Sequence, residues 1–210
     1  AEFGVDIAMG LDVCPPFPAE RREVEEACRL SAAWAARARK SWRGDGGGLL
    51  FGIVQGGTHE DLRRNAAPPI LDLDFDGYAI GGVAVGEPKD AIRGITASTA
   101  PLLPAEKPRY LMGVGTPADL LASVRAGVDL FDCVLPTRNG RMGHAYTRSG
   151  EVTIKHERFK EDLSPLDAAC GCPVCRRHTR AYLRHLFVLG DFSAPMLLSI
   201  HNVYFYLEWM

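Results

Sequence analysis

The chain has 210 residues, of which 47% are hydrophobic and 24% are charged, and its formal net charge is −2 at pH 7. This composition excludes a collagen-like or intrinsically disordered protein and is typical of a globular chain with a buried core. No apolar run approaches the length of a transmembrane helix, and nothing at the start is typical of a signal peptide, so we expect no membrane association.

The charges are distributed unevenly along the chain. Residues 1–137 hold 14 Lys and Arg against 19 Asp and Glu, whereas residues 138–184 hold 10 against 5. A basic segment of this kind is typical of a surface that contacts a phosphate backbone, but a solvated charged surface has the same composition. Three of the six cysteines lie in metal-binding spacing and the others are scattered, which favours a reducing cytoplasm over a disulfide framework.

Strand-like apolar segments alternate with helical patterns in the first two thirds of the chain. We predict strands at Val5–Gly10, Leu49–Val54, Gly77–Ile80, Tyr110–Gly113 and Val128–Leu135. We predict helices at about Pro18–Trp42, His59–Leu71, Pro88–Thr99 and Pro117–Ala126. The strands are continuous apolar runs, which is typical of a parallel sheet buried on both faces. The pattern therefore predicts an α/β fold.

Five strands of this kind are too few for a complete (β/α)₈ barrel, which typically needs about 250 residues. They fit either an open sheet or the C-terminal part of a barrel whose first strands are missing. The chain begins with Ala1 rather than Met, which favours a fragment. We therefore predict a partial (β/α)₈ TIM barrel over residues 1–137 that lacks its N-terminal strands.

The pattern changes after residue 137. His144–Thr147 and Glu151–Lys155 flank a short polar turn and predict a β-hairpin. A cysteine cluster follows, and then helices at about Val174–Leu189 and Ala194–Trp209. We assign residues 138–210 to a zinc-binding subdomain that is inserted or appended near the C-terminus.

Cys170, Cys172 and Cys175 lie within six consecutive residues, which is a spacing typical of zinc ligands. One further ligand would complete a closed tetrahedral site. The candidates are His178, His185 and His201. Because four protein ligands leave no open coordination position, we expect one structural Zn²⁺ per chain.

Polar residues and glycines lie at or just after the ends of the predicted strands. They are Asp12, Gln55, Gly82, Gly113 and Asp132. In parallel α/β folds the ligand site lies at the carboxyl ends of the strands, so we expect these groups to meet there. Carboxylates, an amide and bare backbone N–H groups suit a planar heterocycle such as guanine. Asp12 could accept from its N–H donors, while Gln55 and Gly82 could address its carbonyl.

Several segments, spread in order over essentially the whole chain, resemble one enzyme family. They are Phe51–Gly57, Gly77–Gly82, Ala84–Glu87, Arg109–Gly115, Phe131–Arg138 and the cysteine–histidine cluster. The chain resembles the C-terminal half or more of a bacterial-type tRNA-guanine transglycosylase. That family exchanges the wobble guanine of certain tRNAs for 7-aminomethyl-7-deazaguanine, the precursor of queuosine.

The resemblance implies a role for each matched residue in base exchange. Asp132 would be the nucleophile that forms a covalent bond to the ribose. The residues that would read the guanine edge are Asp12, Gln55 and Gly82. Those that would lie near the aminomethyl group are Val83 and Ala84, with Glu87 supporting that peptide. Tyr110 and Met112 would line the pocket.

The resemblance also implies partners and a metal ligand. Arg138 and Arg141 would bind the tRNA, and His201 would be the fourth zinc ligand. A homodimer is expected from the family. Two other functions would fit a chain of this type, namely a non-catalytic partner subunit and a zinc-dependent RNA-binding module, and neither would form a covalent tRNA adduct.

Two features depart from the family pattern. The family's N-terminal segment, with an aspartate that acts as general acid and base and an aromatic residue that stacks on the base, is absent from this sequence, so we expect the chain alone to be an incomplete enzyme. Where the bacterial pattern commonly has Asp-Glu-Cys, this chain has Asp12-Val13-Cys14. The missing glutamate bears on base preference more than on reaction type.

Overall fold

The computed structural model describes residues 4–43 and 47–210. The chain forms two compact units, Ala1–Cys133 and Val134–Met210. Among the described residues, no helix combines the length and apolar character that crossing a membrane requires.

The first unit is a parallel sheet of five strands connected by helices. Its strands are β1 (Ile7–Met9), β2 (Leu49–Val54), β3 (Gly77–Ile80), β4 (Arg109–Leu111) and β5 (Leu130–Phe131). Its helices are α1 (Arg21–Ser41), α2 (Glu60–Leu71), α3 (Lys89–Thr99) and α4 (Pro117–Arg125). Each strand pairs in parallel with the next one along the chain. The predicted α/β fold is therefore confirmed.

The central strands carry the core of this unit. All residues of β3 and all but the first of β2 are buried, as the continuous apolar runs predict. Phe75 and Leu111 are among the fully buried side chains that pack with these strands. The carboxyl ends of β2 and β3 are thereby fixed next to each other, since Val54 pairs with Ile80.

Several predicted element boundaries in the first unit are wrong. β1 is Ile7–Met9 rather than Val5–Gly10, β4 is Arg109–Leu111 rather than Tyr110–Gly113, and β5 begins at Leu130 rather than Val128. Helix α1 begins after Glu20 rather than at Pro18, because the Glu23 carboxylate accepts a hydrogen bond from the Glu20 N–H (3.2 Å) and caps the helix there. The fifth strand ends at Phe131 instead of Leu135. Pro136 lies in the first turn of the helix that follows, and its fixed φ suits a helix start.

The second unit combines a hairpin with four helices. Helix α5 (Leu135–Met142) precedes the antiparallel pair β6 (His144–Thr147) and β7 (Gly150–Thr153), which confirms the predicted hairpin. Helices α6 (Pro173–Arg177), α7 (Arg180–Leu189) and α8 (Ser193–Trp209) follow.

The helix predicted at Val174–Leu189 is two helices, and the single-helix prediction is wrong. Helix α6 ends at Arg177, and Thr179 starts α7 by accepting a hydrogen bond from the Tyr182 N–H (3.2 Å). A threonine in an extended conformation is a favourable N-cap, so it interrupts the helical pattern.

Candidate active site and metal centre

Three of the predicted base-reading residues lie together at the carboxyl ends of β1, β2 and β3. The Gln55 side chain is 2% exposed and donates a hydrogen bond from Nε2 to Asp12 Oδ2 (2.5 Å). Because a carboxylate only accepts, this contact fixes which end of the Gln55 amide carries the nitrogen. Asp12 is half-buried, and the hydrogen bond from Gln55 holds its carboxylate at the end of the neighbouring strand β2.

Gly82 lies against the other end of the same amide. A Cβ at this position would be 2.3 Å from Gln55 Oε1, and the backbone has φ +66°, a conformation that L side chains rarely adopt. Glycine is therefore required on both counts. Burial, followed by the Asp12 charge, raises the pKa of the nearby Cys14 thiol. A hydrogen bond from the Gly82 backbone N–H has the opposite effect on this pKa.

A cleft of about 220 Å³ opens beside these groups. Its lining includes Pro15, Phe17, Gln55, Gly82, Val85 and Glu87. The cleft thus offers apolar surface next to an amide, a backbone N–H and a carboxylate. Such a lining suits a flat polar ring that must be oriented by a few hydrogen bonds.

The turn after β3 is held by Glu87. The buried Glu87 carboxylate accepts hydrogen bonds from the backbone N–H groups of Ala84 (2.5 Å) and Val85 (2.9 Å). Ala84 has φ +62°, which is uncommon for a residue with a side chain and is sustained here by the Glu87 contacts. Val83 is buried at the start of this turn.

Asp132 follows β5 and is exposed. Its Oδ1 accepts hydrogen bonds from the Tyr110 hydroxyl (2.6 Å) and the Gly113 N–H (2.7 Å), both supplied by β4 and the loop after it. Burial, followed by the contact with Asp132, raises the pKa of Tyr110, so its hydroxyl stays protonated and donating. The carboxylate is therefore oriented through one of its two oxygens.

The Asp132 cluster adjoins the turn after β3. A Cβ at Gly113 would be 3.5 Å from the Ala84 Cβ, which is ordinary van der Waals contact. Met112 is half-buried at the end of β4, and its N–H donates to the Ile80 carbonyl (3.4 Å). The strand ends β3, β4 and β5 thus form one continuous polar edge.

Sequence analysis missed two buried charges beneath these loops. Arg63, on α2, is 1% exposed and donates to backbone carbonyls of the loops after β2 and β3. Asp119, on α4, accepts hydrogen bonds from Lys89, Arg93 and the Thr116 backbone N–H. Charges on the buried face of a helix would have been the signal for both residues.

The four predicted metal ligands form a buried cluster in the second unit. The Cys170, Cys172 and Cys175 sulfurs and the His201 Nδ1 lie within 4.8 Å of one another. The sulfurs are 3.8, 3.4 and 3.3 Å from Nδ1, respectively. A tetrahedral zinc ion with ordinary bond lengths sets sulfur–nitrogen separations of about 3.5 Å. The arrangement therefore fits a closed Cys₃His site.

His201 is held in the tautomer that such a site requires. Its Nε2 contacts the Tyr146 carbonyl (2.7 Å), and since a carbonyl only accepts, Nε2 carries the hydrogen. Burial lowers the pKa of His201, so the neutral ring turns its Nδ1 lone pair towards the cysteines. Burial also raises the pKa of Cys170 and Cys175, so a nearby cation is needed to stabilise their thiolates.

The remaining predicted residues lie elsewhere in the second unit. His178 stacks on Tyr182 with ring centroids 5.2 Å apart, and neither it nor His185 belongs to the cysteine cluster among the described residues. Arg138 and Arg141 are both exposed on α5. The structure thus brings His201, rather than the alternative histidines, to the cysteines.

Comparison with known proteins identifies the family of the chain. The sequence model described as queuine tRNA-ribosyltransferase matches residues 1–210. The chain belongs to the queuine tRNA-ribosyltransferase family. This membership agrees with the resemblance seen in the sequence motifs.

Relatives in this family are about 50% identical to the chain. A queuine tRNA-ribosyltransferase from Dechloromonas aromatica is 54% identical over 202 residues, which cover 96% of this chain and 55% of that protein. One from Thiobacillus denitrificans is 52% identical over 201 residues, with 96% and 54% covered. One from Agrobacterium fabrum is 52% identical over 205 residues, with 98% and 54% covered. The chain therefore spans about half the length of these relatives.

Proposed function

We propose that the full-length protein exchanges the wobble guanine of specific tRNAs for 7-aminomethyl-7-deazaguanine, in queuosine synthesis, and that this chain supplies the nucleophile and the base-reading groups. The observation that carries the proposal is the oriented carboxylate of Asp132. Its Oδ1 accepts hydrogen bonds from Tyr110 and Gly113, and Gly113 lies beside Ala84 in the turn after β3.

In the first step Asp132 Oδ2 attacks C1′ of the target ribose. A bond forms between Oδ2 and C1′, the C1′–N9 bond breaks, and its electron pair leaves with guanine. The cationic, oxocarbenium-like transition state is stabilised by the carboxylate. The base must first leave its stack to reach the strand ends. The family resemblance assigns proton transfer to an aspartate in the N-terminal part of the enzyme.

Recognition of the base rests on the strand-end groups. The Asp12 carboxylate accepts from the two N–H donors of the guanine edge. Gln55 Nε2 has two N–H bonds, so it can hold Asp12 with one and donate to the guanine carbonyl with the other. The Gly82 N–H donates to that same carbonyl, and Tyr110 and Met112 line the pocket.

In the second step N9 of the deazaguanine gives up its proton, to the N-terminal aspartate by the same resemblance, attacks C1′ and displaces the Asp132 carboxylate, so the configuration at C1′ is retained. Val83 and Ala84 lie near the aminomethyl group. Because Glu87 binds the Ala84 N–H, the preceding peptide is held with its carbonyl, that of Val83, available to accept from an amine. Water must be excluded during the lifetime of the covalent bond.

The rest of the chain supports this reaction. We propose that residues 1–137 form the C-terminal part of a (β/α)₈ barrel and residues 138–210 a subdomain with one structural Zn²⁺ on Cys170, Cys172, Cys175 and His201. The exposed Arg138 and Arg141 bind the tRNA backbone, so replacing either by alanine should reduce the salt dependence of tRNA binding. The homodimer remains a prediction that light scattering of the full-length protein would test, and the cytoplasmic location also remains a prediction.

The test is a covalent trap. Full-length protein is mixed with tRNA that carries a wobble guanosine and run on a denaturing gel, comparing wild type with Asp132→Asn and with a matched control, Asp90→Asn, whose carboxylate is 97% exposed. We expect an adduct from wild type and the control and none from Asp132→Asn. An adduct from Asp132→Asn would refute the assigned nucleophile. Tight tRNA binding without any adduct would indicate a binding subunit.

A further inference from the structure

Arg63 is a buried cation whose side chain donates hydrogen bonds to four backbone carbonyls. Its Nη2 donates to the Gly81 carbonyl (2.8 Å) and its Nε to the Gly57 carbonyl (2.9 Å). Longer contacts of 3.4 Å reach the carbonyls of Val54 and Gly82. One side chain therefore connects the loops after β2 and β3, which carry two of the base-reading groups.

The approach of Arg63 is close enough to require glycine opposite it. A Cβ at Gly56 would be 2.4 Å from Arg63 Cγ, and Gly56 has φ +148°. Burial lowers the pKa of Arg63 to about 10, so the guanidinium is still charged at neutral pH. The titratable groups that face it are the Cys14 and Cys28 thiols, whose pKa values are raised by burial, and the Glu87 carboxylate. A full positive charge thus lies directly behind the base site.

The Arg63 charge lies at the carbonyl end of the peptide unit that joins Gly81 and Gly82. The Gly81 carbonyl, which accepts from Arg63, and the Gly82 N–H belong to the same trans peptide and point in opposite directions. A charge-assisted hydrogen bond at the carbonyl withdraws electron density from the peptide nitrogen. The N–H on the far side thereby becomes a stronger donor, as in other chains of hydrogen bonds.

We propose that Arg63 is a positioning residue that polarises the Gly81–Gly82 peptide and so strengthens the Gly82 N–H hydrogen bond to the carbonyl oxygen of the purine. This inference rests on the proposed function. When the glycosidic bond breaks, the electron pair that guanine carries away is shared with its carbonyl oxygen, so the same N–H binds the leaving group more tightly than the ground state.

The experiment separates this role from loop packing by using two bases. Guanine has the carbonyl oxygen that faces the Gly82 N–H and a ring N–H beside it, whereas 2-aminopurine has a hydrogen in place of the oxygen and an unprotonated ring nitrogen, and keeps the amine. Each variant is therefore compared with wild type for the same base. Affinities of the full-length protein for each base are measured by calorimetry for wild type, Arg63→Met, Arg63→Lys and the matched control Arg64→Met. Arg64 is the adjacent residue on α2, 66% exposed and 3.6 Å from Glu60.

We expect Arg63→Met to lose about tenfold in guanine affinity and to change 2-aminopurine affinity by less than about twofold, since only the first base uses the polarised bond. Arg63→Lys keeps the charge and should fall between wild type and Arg63→Met for guanine only. Arg64→Met should match wild type with both bases. Equal losses for both bases in Arg63→Met would overturn the proposal, because loop disorder weakens any ligand.

If Arg63→Met does not fold, Arg63→Lys decides the question. A guanine-selective loss supports polarisation, whereas no loss or an equal loss for both bases overturns it. Failure of the proposed function gives a different result, since wild type would then bind neither base, and the inference would fall with it. The covalent trap with Asp132→Asn checks the proposed function independently.

Discussion

Replacing His201 by alanine should both remove the metal and destabilise the fold. The side chain is fully buried, and its Nε2 is the donor to the Tyr146 carbonyl at 2.7 Å. A buried carbonyl left without a donor costs about 1–3 kcal/mol. The cavity left by a large buried side chain costs about 2–5 kcal/mol. We therefore expect the free energy of unfolding to fall by at least about 3 kcal/mol, before the loss of metal-binding energy is added.

The assay combines metal analysis with denaturation. Protein purified without chelator should contain about one zinc per chain for wild type and for His178→Ala, which removes a histidine from the same unit that stacks on Tyr182 instead of facing the cysteines. His201→Ala should contain little zinc and unfold at lower urea concentration by circular dichroism. Full zinc occupancy in His201→Ala, or zinc loss in His178→Ala, would refute the ligand assignment.

Two further changes test how the site loops are held. Gly82→Ala places a Cβ 2.3 Å from Gln55 Oε1, so guanine affinity should fall at least about tenfold, whereas Gly94→Ala, on α3 with open space around it, should leave binding unchanged. Equal affinities for both variants would contradict this geometry. Burial alone would raise the pKa of Asp119, but hydrogen bonds from Lys89, Thr116 and Arg93 lower it from 3.8 to about 2. Asp119→Asn should therefore cost about 1–2 kcal/mol at pH 7, allowing for solvent around its half-exposed partners, and the difference should vanish between pH 4 and pH 2 in urea titrations. A difference independent of pH would show that charge is not its origin.

The strands were predicted well where burial alone determines them. The predicted bounds of the second and third strands, Leu49–Val54 and Gly77–Ile80, agree with β2 and β3, since both are apolar runs paired on two sides. β1 and β5 lie at the edges of the sheet, and both are shorter than their apolar segments. An edge strand ends where it stops pairing with its single neighbour. The residues of the edge segment alone do not determine that position.

The candidate site was predictable where strand ends or ligand spacing define it. Asp12, Gln55 and Gly82 follow successive strands, so parallel pairing alone places them together. Arg63 was not predictable by that argument because it lies inside a helix, where a charge is normally read as solvent-facing. Arg63 has the helical spacing that places it on the same face of α2 as the buried Ala67 and Ile70, and this spacing could have identified it as buried.

The loops after β2, β3 and β4 are each held by a buried charged side chain. After β2, Arg63 binds the Gly57 carbonyl; after β3, Glu87 binds the Ala84 N–H; after β4, Asp119 binds the Thr116 N–H. In each case a buried charged side chain near the start of the next helix is hydrogen-bonded to backbone of the preceding loop, and Asp119 is also paired with Lys89 and Arg93. Burying a charge is costly unless it is hydrogen-bonded, so each charge is stable only when its loop has one conformation. Loops held in this way keep their N–H groups directed at a ligand without help from the ligand, which is the preorganisation that the proposed base exchange needs when the first base has left and the second has not yet arrived.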